Sequence, residues 1–149
     1  MQIATSQKTN IHLENFVVID SSAILKWFFR QNEENPYLAI KAREKHLNYE
    51  IILCAPELIY FEVINTMIFR IQDEMLLANN LKSLLITNIE IFYQNEESVL
   101  TTTKLAKNYN ITFYDSSYLY LAVKNNAKLL TYDKKLLDAA ISEGVKIYD

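Results

Sequence analysis

The chain has 149 residues, half of them apolar, and a net charge of −3. This length suits one domain with a substantial core, and no apolar run approaches the roughly 20 residues that a transmembrane helix needs. Because the overall charge is negative, any nucleic-acid ligand would depend on local basic patches and on metal ions.

Scarce residue types exclude several kinds of active site. Gly144 is the only glycine, so a phosphate-binding P-loop, a dinucleotide-binding G-x-G-x-x-G and a G-x-S-x-G nucleophile elbow are all impossible. The single cysteine, Cys54, excludes an internal disulfide and a cysteine-based zinc cage, and we expect a reducing, cytoplasmic setting. With only His12 and His46 present, carboxylates are the remaining candidates for chemistry.

The first apolar run of the predicted domain, residues 16–19, ends at Asp20 and is followed by Ser21 and Ser22. Such a run predicts a strand buried on both faces, as in a parallel sheet, and the serines predict the start of a helix that continues to residue 29. Asp20 then lies at the carboxyl end of a central strand, where open α/β sheets bind ligands. The alternative is that Asp20 only caps the helix.

Residues 1–15 lack the basic-then-apolar layout of a signal peptide, so we expect an N-terminal arm followed by one domain at residues 16–149. That domain alternates short apolar strands with helices. We predict helices at residues 36–49, 56–71, 73–85, 96–107, 115–124 and 134–140, and further strands at residues 51–55, 88–93, 128–131 and 145–148. This alternation predicts an α/β fold with a parallel sheet.

The helix at residues 56–71 contains a candidate functional carboxylate. Its core stripe is predicted at Leu58, Phe61, Ile64 and Ile68, with Glu62 beside it. A carboxylate there would be paired or metal-bound, because burying it alone is unfavourable. Asn65, one turn further on, is placed to hydrogen-bond and orient Glu62. The alternative is a partly exposed helix glutamate.

Two more carboxylates occupy comparable positions, since Asp115 opens a late helix and Asp133 follows a late strand. If the strands are neighbours, these residues converge with Asp20 on one edge of the sheet, and Glu62 reaches the same edge. Crowded carboxylates raise each other's pKa unless a cation compensates. Mg²⁺ and Mn²⁺ prefer such oxygen ligands, and they can activate a water for phosphodiester cleavage.

The segments VVIDSSAILKWF, APELIYFEVINTM and YDSSYLYLAVKNNAKLLTYDKKL, in this order and spacing, resemble PIN-domain proteins, and most closely the VapC-type toxins. The resemblance implies a three-layer α/β/α fold with a central, mostly parallel sheet of four to five strands. It implies a Mg²⁺- or Mn²⁺-dependent endoribonuclease, the toxin of a toxin–antitoxin pair. Its metal site would comprise Asp20, Glu62, Asp115 and Asp133, with Glu62 holding metal or positioning the water.

The same resemblance implies supporting residues and partners. Ser22 would orient the acidic site, and Asn65 and Thr131 match family positions that support it. The implied partners are an RNA substrate, a small antitoxin that packs in a groove near the active site, and a second copy in a homodimer, with no membrane partner. The chain departs from the family pattern in its longer N-terminal arm and in its acidic overall charge.

Local basic and aromatic residues could guide RNA towards this site. The basic candidates are Lys26, Arg30, Lys41, Arg43 and Lys134. Trp27 and Tyr114 are close to the acidic residues in sequence and could stack a base. The alternatives are a solvated charged face for the cations and core packing for the aromatic residues.

Other functions stay open on the sequence alone. A carboxylate phosphotransferase would use Asp20 as a nucleophile, but such enzymes generally carry a second acid where this chain has Ser22. A receiver domain would need an adjacent acidic pair after the first strand, which is also missing. A catalytically silent PIN-like module that binds a protein, and a housekeeping RNA-processing nuclease of the same fold, are the remaining alternatives.

Overall fold

The computed structural model describes residues 15–30 and 35–149, so the predicted arm lies outside the described residues apart from Asn15. The strands are β1 (Phe16–Ile19), β2 (Ile52–Pro56), β3 (Glu90–Phe92) and β4 (Lys128–Leu130). The helices are α1 (Ser21–Leu25), α2 (Tyr37–Leu47), α3 (Leu58–Arg70), α4 (Glu74–Ile86), α5 (Glu96–Tyr109), α6 (Phe113–Lys124) and α7 (Lys134–Ser142). Among these helices, none has the length and apolar character that crossing a bilayer requires.

The four strands form one parallel sheet in the order β3-β2-β1-β4. β1 is central, with Val17 opposite Leu53 of β2 and Lys128 of β4. This confirms the predicted mostly parallel sheet of four to five strands. The segment predicted as the last strand, residues 145–148, makes only an isolated bridge between Ile147 and Leu129.

The strand order places the two halves of the chain on opposite faces of the sheet. The chain moves outwards from β1 through β2 to β3, and then returns to the other side of β1 as β4. Right-handed crossovers therefore put α1 to α4 on one face and α5 and α6 on the other, which gives the three-layer α/β/α arrangement. The order reverses between β1 and β4, and ligands bind at the carboxyl ends of such a switch point.

The centre of the core is β1 itself. Val17, Val18 and Ile19 are all buried, although their side chains alternate between the two faces of the sheet. Because helices cover both faces, the strand is apolar throughout instead of alternating. Burying each of these side chains favours folding by about 1.5–3 kcal/mol, so the position of β1, and of whatever follows it, is strongly fixed.

The helix after β1 is shorter than predicted and ends at Leu25. The chain then turns so that Trp27 is buried, and its Nε1 donates a hydrogen bond to the Ala39 carbonyl of α2 at 2.9 Å. A buried indole needs a partner for its N–H group, and that partner lies on a different helix.

Two predicted core stripes are wrong in part. In α3 the buried residues are Ile59, Val63 and Met67. The predicted Leu58 and Ile64 are half-buried against the core, whereas the predicted Phe61 and Ile68 are exposed. This helix is apolar around most of its circumference, so residues on several faces show four-residue spacing. The spacing at residues 96–107 predicts Val99, Leu100, Thr103 and Leu105 inward, but of these the structure buries only Leu105. The other buried residues of α5 are the small polar Ser98 and Thr102. Close packing of α5 on α6 favours small side chains, and the Ser116 hydroxyl of α6 donates to the Thr102 carbonyl at 2.8 Å.

Thr102 generates a stability prediction. Its buried hydroxyl has no hydrogen-bond partner within the described ranges, and such a group is destabilising by about 1–3 kcal/mol. Thr102→Val keeps the shape and removes this hydroxyl, so we expect the free energy of unfolding in urea to rise by about 1 kcal/mol. Thr103→Val is the matched control, because Thr103 is exposed and bonds the Val99 carbonyl; it should change stability by less than about 0.5 kcal/mol. Equal stability of the two variants would contradict this account.

Candidate active site

The site lies where β1 and β4 end side by side. The backbone N–H of Asp20 donates to the Leu130 carbonyl at 3.3 Å, which extends the ladder of hydrogen bonds by one step beyond the strands. Directly after β4, the Thr131 hydroxyl donates to Asp20 Oδ2 at 2.5 Å. Two side chains more than a hundred residues apart in sequence therefore meet at the switch point of the sheet.

Asp20 is held by three donors. The Ser22 hydroxyl and the Ala23 backbone N–H donate to Oδ1 at 2.7 and 3.0 Å, and Thr131 donates to Oδ2. Asp20 is thus the N-cap of α1, but capping uses only one of its two oxygens. This geometry is compatible with Asp20 as a helix cap and also with Asp20 as a functional carboxylate.

Burial raises the pKa of Asp20 from its ordinary value of 3.8 to about 6. The hydrogen bonds from Thr131, Ser22 and Ala23 oppose this rise, whereas the nearby charge of Glu62 adds to it. The side chain is only 4 % exposed, and ionising a carboxylate there without a cation is unfavourable.

Glu62 reaches the same edge from α3. The Tyr118 hydroxyl donates to Oε1 at 2.5 Å, and the Ser21 hydroxyl approaches Oε2 at 3.3 Å. Partial burial raises the pKa of Glu62, the two hydrogen bonds oppose the rise, and the charge of Asp115 adds to it. Glu62 is therefore part of the acidic cluster and not merely a surface glutamate.

Tyr118 also belongs to the site, although it is not among the site residues predicted from the sequence. Burial raises the pKa of its phenol, and the charges of Glu62, Asp20 and Asp115 raise it further. The phenol thus stays protonated and donates its hydrogen bond to Glu62. A signal was present in the sequence, because Tyr118 follows Asp115 by three residues and lies on the same face of α6.

Asp115 and Asp133 both lie in first turns of helices. Asp115 is the third residue of α6, where the Thr112 hydroxyl donates to Oδ2 at 2.7 Å. Asp133 is the N-cap of α7, with Oδ1 accepting from the Leu136 backbone N–H at 2.8 Å. The backbone N–H of Asp133 donates to the Thr131 hydroxyl at 2.9 Å, so Asp133 is joined to Asp20 through that hydroxyl.

The predicted supporting residues divide into two groups. Ser22 and Thr131 contact Asp20 directly, and the Ser22 hydroxyl also accepts from the Tyr132 backbone N–H at 2.9 Å. Asn65 is exposed, and in the described part of the chain the Glu62 carboxylate takes its hydrogen bonds from Ser21 and Tyr118 instead. A contribution of Asn65 to the site stays a prediction.

The cations predicted to guide RNA have different surroundings. Arg43 donates to the Ser83 carbonyl and hydroxyl and to Thr87, and it stacks on Trp27 at 4.9 Å. Its guanidinium is engaged inside the protein, so we do not assign Arg43 to RNA binding. Lys26 is largely buried beside the Tyr132 ring, while the predicted cations that are exposed are Arg30, Lys41 and Lys134.

The two candidate stacking residues are also separated by the structure. Trp27 is 7 % exposed and bonded to α2, so the alternative of core packing is correct for it. Tyr114 is 60 % exposed and adjacent to Asp115 in α6, so it remains available to a base.

The donor set fits a hard divalent cation without forming a closed cage. Within residues 15–30 and 35–149, no group of three or more His, Cys, Asp or Glu side chains is arranged as a complete metal site. Mg²⁺ is usually held by one or two carboxylates, with water and substrate phosphates supplying its other ligands. Asp20 and Glu62 match that requirement, because burial raises both of their pKa values and a cation would favour their ionised forms. That all four carboxylates bind metal stays a prediction.

Comparison with known proteins agrees with this fold. The family model of the PIN domain matches residues 17–142. The structure is similar to that of PAE2754 from Pyrobaculum aerophilum (TM-score 0.62, 22 % identity, 85 % of this chain and 80 % of that chain covered). It is also similar to FitAcB from Neisseria gonorrhoeae (TM-score 0.58, 12 % identity, 89 % and 96 % covered). At these identities the similarity to the solved structures shows the fold alone. No curated protein matches the chain.

The raised pKa of Asp20 predicts an unusual pH dependence. Between its unfolded pKa of 3.8 and its folded pKa of about 6, the native state binds more protons than the unfolded state. Stability supplied by the protonated form is therefore present at low pH and is lost as the pH rises through 6. The side chain in Asp20→Asn cannot ionise, so the variant does not lose this stability as the pH rises. In chelator, the stability of the variant relative to wild type should increase by up to about 3 kcal/mol between pH 4 and pH 7.

Urea denaturation at a series of pH values measures this difference. Asp138→Asn, which removes an exposed carboxylate from α7, controls for the change in net charge. A pH-independent difference between wild type and Asp20→Asn would show that the Asp20 carboxyl is not destabilised by its burial.

Proposed function

The chain belongs to the PIN-domain family, whose members are generally nucleases, and from that premise we propose that it is a Mg²⁺- or Mn²⁺-dependent endoribonuclease. The observation that carries the proposal is the geometry at the carboxyl edge of the sheet, where Thr131 donates to Asp20 and Tyr118 donates to Glu62. The buried carboxylate, Asp20, is held by three donors that fix its orientation. Asp115 lies three residues before Tyr118 in α6, and a divalent cation bound here would balance the charge of these carboxylates.

Each residue has a defined role in this proposal. Asp20, Asp115 and Asp133 would hold the cation, with Glu62 either holding the cation or positioning water. Ser22 and Thr131 donate to Asp20 and keep its carboxylate in one orientation, as outer-shell groups do around metal ligands.

A bound Mg²⁺ or Mn²⁺ would supply a water of lowered pKa and would stabilise charge on the phosphodiester oxygens. The protein's contribution is to position that water for in-line attack at phosphorus. Glu62 suits this task because Tyr118 holds its Oε1 at 2.5 Å, while its Oε2 has only the longer contact of 3.3 Å with Ser21.

The proposal of a toxin rests on the resemblance to VapC-type proteins. We propose accordingly that a small antitoxin inhibits the enzyme by packing near the acidic site, that the enzyme is a homodimer and that it works in the cytoplasm. A neighbouring short reading frame for a DNA-binding antitoxin would favour the toxin over a housekeeping RNA-processing nuclease of the same fold.

Two alternative functions find less support. In a carboxylate phosphotransferase a second acid would stand at residue 22, but Ser22 is there and donates to Asp20. A catalytically silent binding module has no need for a buried carboxylate with three donors. Burial of that carboxylate lowers the stability of the fold at neutral pH. Metal binding distinguishes the silent module from the enzyme directly.

The proposal predicts metal-dependent cleavage of RNA. Wild-type protein should cut members of a structured RNA panel with Mg²⁺ or Mn²⁺ and should be inactive in chelator. Asp20→Asn should lower the rate at least about 100-fold, because even outer-shell partners of metal ligands contribute 10- to 100-fold. Asp138→Asn, which removes an exposed carboxylate of α7 outside the proposed metal ligands, should cut at the wild-type rate.

Gel analysis of end-labelled RNA measures these rates. Equal cleavage by wild type and Asp20→Asn would point to a contaminating nuclease. Absence of cleavage together with absence of metal binding by calorimetry would contradict the catalytic proposal and favour the silent module.

A further inference from the structure

A large cleft opens beside the acidic site. Its volume is about 1160 Å³, and its lining includes Ser22, Tyr132 and Asp133, which belong to the network around Asp20. Small-molecule pockets usually have volumes of about 300–1,000 Å³. The cleft is thus larger than most such pockets and is continuous with the site, which suits an extended chain that passes through the site.

Cationic side chains lie along the other part of this cleft. Arg30 and Arg70 both line it, together with Lys26. In the described part of the chain, the ion pairs are Lys124–Glu97 and Lys128–Asp149, and neither arginine has a carboxylate partner. Both guanidinium groups therefore present positive charge to the cleft.

The acidic residues of the lining do not cancel this charge. Asp73 accepts from the Leu76 backbone N–H at 2.8 Å as the N-cap of α4, and Asp133 caps α7 in the same way. The positive end of each helix dipole offsets part of the charge of its capping carboxylate. The cleft thus has an acidic end at the site, marked by Asp133, and a basic wall formed by Arg30 and Arg70. Arg70 lies eight residues beyond Glu62 along α3, which is about 12 Å at a rise of about 1.5 Å per residue.

Arg70 is held in place by an aromatic contact. Its guanidinium carbon lies 5.1 Å from the centre of the Phe29 ring. Stacking restricts the side chain without occupying its N–H donors, so less conformational freedom is lost when those donors bind a ligand. A planar guanidinium with free donors matches the oxygens of a phosphate.

We propose that this cleft binds the sugar–phosphate backbone of single-stranded RNA, with Arg30 and Arg70 contacting phosphates next to the bond that is cut. The inference rests on the proposed function, because it takes the scissile phosphate to lie at the acidic end. Arg70, the last residue of α3, was identified neither by the sequence motifs nor among the predicted cations.

RNA is favoured over an acidic protein segment because of the acidic end. A flexible acidic peptide that followed the basic wall would run into Asp133 and Asp20 without a means of compensating their charge. An RNA strand brings a phosphodiester to the position where the cation of the proposed function would lie.

The test measures RNA binding separately from RNA cleavage. In the Asp20→Asn background, Arg30→Met/Arg70→Met removes both charges and keeps the apolar stems, including the contact with Phe29. Fluorescence anisotropy with a labelled single-stranded RNA gives the affinity across a series of salt concentrations. The control, Lys104→Met/Lys107→Met, removes two exposed charges from α5.

Loss of two phosphate contacts should weaken binding roughly 10- to 30-fold at 0.1 M salt and reduce the slope of log affinity against log salt by about 1.4. The α5 control should match its parent. Arg30→Met alone should give about a fivefold loss, and since Arg30 is exposed, this variant keeps the test valid if the double variant folds poorly.

Equal RNA affinity and equal salt slope for the cleft variant and the α5 control would overturn the inference. The inference would also fail if the cleft variant bound RNA normally and had lost binding only to a protein partner. This failure is distinct from failure of the proposed function. If the cleft is wrong, wild type still cuts RNA; if the function is wrong, wild type cuts no RNA with either metal.

Discussion

The burial of the Asp20 carboxylate is the constraint on which the site depends. β1 is fixed by packing on both of its faces, and the residue after it cannot move away without disrupting the centre of the sheet. Asp20 must therefore be neutral, be surrounded by donors or face a cation. The structure supplies the donors through Ser22, Ala23 and Thr131, but burial outweighs them and keeps the pKa of Asp20 raised.

The same constraint links stability to function. A protein selected for stability alone would place an apolar or amide side chain at this position, since ionised Asp20 destabilises the fold at neutral pH. Functional sites often retain such destabilising groups. Tyr118 extends the arrangement, because its buried hydroxyl needs an acceptor and finds Glu62 there. The Tyr118 side chain thus both packs α6 into the core and orients Glu62.

Much of the fold could be predicted from the sequence. The apolar run before Asp20, the caps at Asp73 and Asn95 and the left-handed Asn126 after α6 are local signals, and the structure contains each of them. The faces of α3 and α5 could not be predicted, because residues on more than one face of each helix have suitable spacing. Only packing against the neighbouring elements selects Val63 over Phe61.

The site was predictable as a set of carboxylates, but its connections were not. The hydrogen bonds from Thr131 to Asp20 and from Tyr118 to Glu62 join residues 111 and 56 positions apart. Such contacts follow from the strand order, which no local pattern contains. Arg43 is a similar case, because the sequence makes it a candidate cation for RNA and does not contain its long-range hydrogen bonds to Ser83 of α4.

The central claim, that the acidic cluster requires a divalent cation, is tested most directly by thermal unfolding across a Mn²⁺ titration. A ligand at 100 times its Kd stabilises the native state by about 2.7 kcal/mol, which for a chain of this size raises Tm by roughly 5–10 °C. We predict that rise for wild type and a much smaller one for Asp20→Asn. An unchanged Tm in wild type, or an equal rise in both proteins, would contradict the account.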